Sequence, residues 1–214
     1  MIAIFDWDGT LCNSIDHIVE AMQDTATELD LTPPTVMAIR DIVGLGLPEA
    51  VSRLFPALDV DQCGDVAAAY SRHFSAPGRA PSELFAGAME TLEALRGRGI
   101  ELAVATGKSR RGLDRVLGTL GLEDFFDATR CADETRSKPN PMMLHEIMTA
   151  RAKTPHEVVV IGDSEYDLDM ARQAGVRSVG VSFGVHDNDR LAAFAPLAIV
   201  DALPALLAME VFRR

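Results

Sequence analysis

Apolar and polar positions along this chain change period between its opening residues and its body. Ile2-Ala3-Ile4 is an unbroken apolar run, the pattern of a strand buried on both faces. After Asn13-Ser14 the period becomes helical. Ile15, Ile18, Val19, Met22, Ala26 and Leu29 share one face of a helix that Thr32-Pro33-Pro34 is expected to end. Val36, Ile39 and Val43 predict a second helix stopped at Gly44, Leu47, Val51 and Leu54 a third, and Cys63, Val66, Ala67, Tyr70 and Phe74 a fourth. Ala76-Pro77-Gly78-Arg79-Ala80-Pro81 reads as a linker. From Leu84 helix and strand patterns alternate. Helices carrying Met89 to Leu95, Leu113 to Leu120, Met143 to Met148 and Leu168 to Ala174 separate strands at Ile100–Ala105, Phe126–Cys131, Val158–Ile161 and Ser178–Val181. An edge strand at Ala198–Val200 and a last helix through Leu206 and Met209 complete the expectation. Such alternation implies right-handed crossovers and a doubly wound parallel α/β sheet. The helical stretch interrupts it, which predicts a core of residues 1–13 and 84–214 and an all-α domain of 14–83.

Composition narrows the class. The 214 residues are 48% hydrophobic and 24% charged, a globular balance. A net charge of −12 argues against nucleic acid or an anionic membrane as partner. Cys12, Cys63 and Cys131 are odd in number, scattered and free of CxxC spacing, as expected of reduced thiols in a cytoplasmic protein. The N-terminus lacks the basic flank of a signal peptide, and no apolar stretch reaches membrane-spanning length.

The chemistry gathers at strand ends. Phe5-Asp6-Trp7-Asp8-Gly9-Thr10 follows the first strand, and alternation along an extended chain puts Asp6 and Asp8 on one side and Trp7 on the other. Paired acids there are costly unless a cation or proton compensates them; a hard divalent ion would do so and leave one carboxylate free as a nucleophile. By themselves these residues fit a plain strand-ending turn as well. Later strands end in Thr106-Gly107-Lys108-Ser109 and in Gly162-Asp163-Ser164-Glu165-Tyr166-Asp167, and Lys138 sits in a Lys-Pro-Asn-Pro loop before a helix. In an open parallel sheet these ends share one edge, so distant residues converge on one crevice.

The order and type of these four motifs resemble the haloacid dehalogenase-like hydrolases over nearly the whole chain, in particular the phosphatases with a small helical cap inserted after the first strand of a Rossmann-like core. The resemblance implies Asp6 as the nucleophile that becomes an aspartyl-phosphate. Asp8 would be the general acid and then base, binding metal through its backbone carbonyl. Thr106 and Gly107 would meet phosphoryl oxygens, although Thr106 reads equally as an ordinary helix N-cap. Lys138 would supply a point charge to the phosphate and Asp6. Asp163 would complete a Mg²⁺ site of Asp6, Asp8 and Asp163, with Asp167 behind it or acting through water. The expected partner is therefore a small phosphate ester.

Within the family, Asp8 argues for phosphoryl transfer rather than dehalogenation, and the absence of lysine between Ser14 and Glu83 excludes a Schiff-base phosphonate enzyme. A sugar-phosphate mutase is the runner-up, with His17 as candidate hinge residue; pyrophosphatase or nucleotidase activity would use the same machinery. A non-catalytic metal-binding module is the remaining alternative, against which the intact motifs argue. Gly44-Leu45-Gly46, with Arg53 downstream, resembles the specificity loop of phosphoglycolate phosphatase-like proteins, and reads equally as a turn followed by a solvated arginine. The expected substrate is thus phosphoglycolate-like.

Overall fold

A computed structural model describes residues 1–76 and 83–213. The linker foreseen at 76–81, with Arg79, lies almost wholly outside the described residues. The chain opens with β1 (Ile2–Phe5), turns, and forms the short β2 (Cys12–Asn13). Four helices follow: α1 (Ile15–Glu28), α2 (Val36–Ile42), α3 (Leu47–Leu54) and α4 (Val60–Phe74). The chain returns through β3 (Glu83–Leu84), which pairs antiparallel with β2 where the helical segment leaves and rejoins. Then come α5 (Ala88–Gly97), β4 (Glu101–Thr106), α6 (Arg110–Leu120), β5 (Ala128–Cys131) and α7 (Met142–Ala150). The last elements are β6 (Val158–Gly162), α8 (Glu165–Gln173), β7 (Arg177–Val181), α9 (Asn188–Ala192) and β8 (Ile199–Val200).

Six of these strands form one parallel sheet in the order β5-β4-β1-β6-β7-β8. Counted along the chain within this sheet, the order is 3-2-1-4-5-6, so the winding reverses between β1 and β6. That reversal opens a crevice at the carboxyl ends of β1 and β6. Alternation divides the strands between two cores. Ala3, Phe5, Leu102, Val104 and Ile161 face α5, α6 and the C-terminal segment, whereas Ile2, Ile4, Ala103 and Val160 face α7 and α8. Both faces are covered, which is why the strands read as unbroken apolar runs. The α1–α4 segment packs around its own apolar cluster, including Ile15, Met22, Ile39, Val51 and Val66.

Several boundaries differ from expectation. Helix α1 ends at Glu28, ahead of the prolines, because Asp30 adopts a left-handed φ of 54°. Val36 opens α2 on its exposed side rather than in the core. β5 begins at Ala128: Phe126 instead packs edge-on against Trp7, ring centroids 6.2 Å apart. The expected last helix is a pair of 3₁₀ segments, Leu203–Ala208 and Glu210–Phe212. Arg98 donates to the carbonyls of Leu207 and Phe212 at 2.8 and 3.2 Å, taking acceptors that a continuing helix would use. α9 was not foreseen, since only Leu191 in it is buried and no period shows.

Candidate active site

Asp6 still belongs to the sheet, its amide donating to Ile161 O at 2.9 Å. The chain then folds back: the amides of Leu11 and Cys12 reach Trp7 O at 3.0 and 2.8 Å. Gly9 takes φ 84° in this turn, and a Cβ there would stand 2.3 Å from Asp163 Oδ2, so only glycine lets the β1 and β6 loops meet. Trp7 is buried in the core while Asp6 and Asp8 both line one cavity, the division that alternation anticipates.

Lys138 is fully buried between two carboxylates: its Nζ lies 2.7 Å from Asp6 Oδ1 and 2.6 Å from Asp167 Oδ1. Asp167 also accepts from Ser164 Oγ at 2.6 Å, within the capping box that starts α8. Asp167 thus serves the start of α8 and the pairing with Lys138 at once. Asp163 accepts from Thr10 Oγ1 at 2.7 Å and from the Val185 amide at 2.9 Å. Asp169 is half-buried on α8 and paired with Arg172 at 2.9 Å.

Carboxylate oxygens of Asp6, Asp163 and Asp167 all lie within 4.8 Å of one another, and all three residues are buried. One lysine cannot neutralise three acids. Burial pushes the Asp6 carboxyl well above its ordinary value against the pull of Lys138, with Asp167 and Asp163 adding to the rise. Burial, then Asp167, pushes Asp163 up to about 7. Among the described residues neither Asp6 oxygen accepts an aligned hydrogen bond; Lys138 meets Oδ1 as an ion pair. An all-oxygen, over-negative, under-bonded cluster of this kind fits a hard divalent cation.

Asp8 is turned away from that cluster. Its Oδ1 accepts from Ser14 Oγ and from Lys108 Nζ, the latter at 2.9 Å. The Lys108 ammonium also lies over the Phe74 ring, 4.6 Å from its centroid, and so touches the helical segment. This role of Lys108 was missed. The signal was its place two residues past Thr106 in a chain whose lysines are Lys108, Lys138 and Lys153 alone. Thr106 is fully buried and lines the cavity; its hydroxyl accepts from the Lys108 amide at 3.2 Å. It is not the helix cap: Ser109 caps α6, accepting from Gly112 N at 3.2 Å.

The cavity has a volume of about 610 Å³ and lies between the sheet edge and the helical segment. Gly44 and Leu45 line it, while the Gly46 amide donates to Ser137 Oγ at 2.8 Å, beside Lys138. A Cβ on Gly107 would stand 2.4 Å from Leu45 O, so the glycine at this position matches the close seat of the Gly44-Leu45 loop. Arg53 does not line the cavity; it pairs with Glu49 at 2.7 Å and donates to Tyr166 Oη at 3.2 Å. Arginines that do line it are Arg72, a cation of the helical segment weighed behind Arg53, and Arg111 and Arg115, which were not anticipated. His17 borders a smaller cavity of about 170 Å³ with Asp8 and Ser14. Cys12 and Cys131 are buried, which pushes each thiol up to about 12. Among the described residues no helix is long and apolar enough to cross a membrane.

A model of the haloacid dehalogenase-like hydrolase family matches residues 3–181. A Dickeya dadantii protein named "Probable phosphatase IndB" is 35% identical over 207 residues, covering 94% of this chain and 89% of that protein. A Rhodospirillum rubrum phosphoglycolate phosphatase is 31% identical over 212 residues, covering 95% and 88%. The crystal structure of a Bacteroides fragilis protein named "Putative haloacid dehalogenase-like hydrolase" superposes with a TM-score of 0.89 at 29% identity, over 96% of this chain and 98% of that one.

Proposed function

The chain belongs to the haloacid dehalogenase-like hydrolases and is a phosphatase of that family, and from that premise we propose a Mg²⁺-dependent phosphomonoesterase working through an aspartyl-phosphate on Asp6. Its substrate is a small phosphorylated metabolite, with phosphoglycolate as the reference ester. The observation that carries this reading is the buried Lys138 holding Asp6 amid two further carboxylates at the winding reversal.

In the first step an Asp6 oxygen bonds to phosphorus, the bond to the leaving alkoxide breaks, and Asp8 gives that alkoxide its proton. In the second, Asp8 takes a proton from water, the water oxygen bonds to phosphorus, and the Asp6–phosphorus bond breaks. Lys138 fixes Asp6 from one side, which limits the rotations open to the nucleophile. Ser14 and Lys108 orient Asp8 toward the cavity it lines with Asp6. Thr106 and Gly107 line that cavity as a phosphoryl-binding edge. Asp6, Asp163 and Asp167 would hold Mg²⁺, with Asp8 contributing its carbonyl; when bound, the ion neutralises charge on the phosphoryl oxygens. Residues 14–83 act as a cap that excludes water from the reaction.

The test is turnover of p-nitrophenyl phosphate with Mg²⁺. EDTA is expected to abolish it, and Asp6→Asn to eliminate both turnover and a hydroxylamine-sensitive phosphoryl label on the protein. A well-folded Asp6→Asn protein that retains full turnover would remove the covalent mechanism.

A further inference from the structure

The cavity is lined by unlike groups: Asp6, Asp8 and Thr106, mostly apolar walls with Ile18, Met22, Val43, Leu47, Tyr70 and Phe74 among them, and the arginine Arg111. The volume of about 610 Å³ belongs to a form in which the helical segment is already seated on the sheet edge. Arg40 donates to Gly184 O at 2.8 Å, Tyr166 Oη to Asp41 O at 2.8 Å, and the Gly46 amide to Ser137 Oγ at 2.8 Å. Phosphoglycolate has about nine heavy atoms, and even at the roughly 30 Å³ that a liquid water occupies it would fill less than half this space. Pockets of this size and lining ordinarily bury an apolar body oriented by a few polar groups.

The arginines of the lining differ in one respect. Arg72 is bound to Glu28 at 2.6 Å, Arg115 to Ser75 Oγ, and Lys108 to Asp8. Arg110, next in the chain and outside the cavity, is engaged by Glu134, Asp114 and Thr129. Among the described residues Arg111 is the one cavity-lining cation with no hydrogen-bond or ion-pair partner. Arg111 is exposed, and its unengaged guanidinium can hold an anion through paired N–H donors.

We propose, on the basis of the phosphatase reading, that the substrate's leaving group carries an apolar body of several carbons and ends in an anionic group held by Arg111. The site would thus select a phosphorylated acid longer than glycolate. The apolar side chains named above also belong to the core of the helical segment, so the rival is a space serving helix packing alone.

The experiment compares ω-phosphooxy carboxylates of two to eight carbons with the matching alkyl phosphates, in the Mg²⁺-loaded full chain and in Arg111→Gln. Each added methylene that reaches the wall should raise kcat/KM roughly three- to fourfold until the cavity is filled. At the best length the carboxylate should be preferred over its alkyl match, and Arg111→Gln should lower that preference roughly ten- to a hundredfold. A maximum at phosphoglycolate would overturn the proposal, as would a carboxylate preference unchanged by the variant. Hydrolysis of neither this series nor p-nitrophenyl phosphate would instead overturn the phosphatase reading on which it rests.

Discussion

Asp6 and Asp8 are one residue apart, yet the fold gives them opposite surroundings. Asp6 is buried with Lys138 and two more acids, whereas Asp8 reaches a hydroxyl and an ammonium at the cavity wall. Neighbours, not residue type, thereby set the two carboxylates apart, as the proposed nucleophile and proton donor require. If Asp8 is the proton donor, its removal should matter least where the leaving group needs no proton. For Asp8→Ala, single-turnover phosphorylation by a nitrophenyl ester should fall less than that by an alkyl phosphate. Dephosphorylation should slow equally for both, because the intermediate is shared. Equal losses in the first step would remove Asp8 from that role. The convergence of the strand-end acids and Thr106 was legible in the sequence because alternation and the shared sheet edge dictate where such residues point, whereas Lys138, in a loop, was placed there through the family resemblance. Lys108 and Arg111 were not, because their value depends on which neighbours engage them. Arg53 shows the converse: a cation well placed in sequence but occupied by Glu49 and Tyr166.

Elements were legible wherever a face was buried. All four helices of the inserted segment and the central strands β1, β4 and β6 stand close to where periodicity places them. What escaped were pieces that polar contacts from distant residues help to hold. The C-terminal 3₁₀ segments accept two hydrogen bonds from Arg98, the half-buried residue that ends α5. Arg98→Ala should lower the unfolding free energy by roughly 1–3 kcal/mol, the range for hydrogen bonds to charged groups, and shift the urea midpoint at constant m. An unchanged midpoint would mean that burial of Leu206 and Phe212 alone sets that segment. α9 matters for another reason. Its Arg190 bridges Glu165 at the start of α8 to Asp41 in α2, tying the helical segment to the sheet edge. These groups are partly exposed, so Arg190→Ala should cost no more than about 1 kcal/mol of stability. If the tie also holds a cap in place, kcat/KM should fall several-fold without a matching change in Tm. Parallel loss of both would make the bridge structural only.

At the scale of the whole molecule, the acid cluster is a cost that the entire fold carries. The chain is strongly acidic, with a net charge of −12, and it buries three carboxylates against one lysine at its centre. In the metal-free chain Asp6 is raised well above its ordinary value and Asp163 to about 7, while in the unfolded chain both titrate near the usual value of about 4. Between those limits the folded state holds more protons than the unfolded one. Stability from these groups is therefore fully present below about pH 4 and is lost as pH rises toward and through about 7. Surface acids such as Glu134, held low by Arg110, act in the opposite sense, but their gain is complete at lower pH. A divalent cation takes the deprotonated carboxylates, so it should restore stability where the most has been lost. The Mg²⁺-induced rise in Tm is thus expected to be small at pH 5 and to grow steadily to pH 8. Asp163→Asn should flatten that growth and, in EDTA at pH 8, melt higher than the unsubstituted chain. An increment independent of pH, or an Asp163→Asn protein that melts lower in EDTA, would show that the cluster is not a site of buried, uncompensated charge.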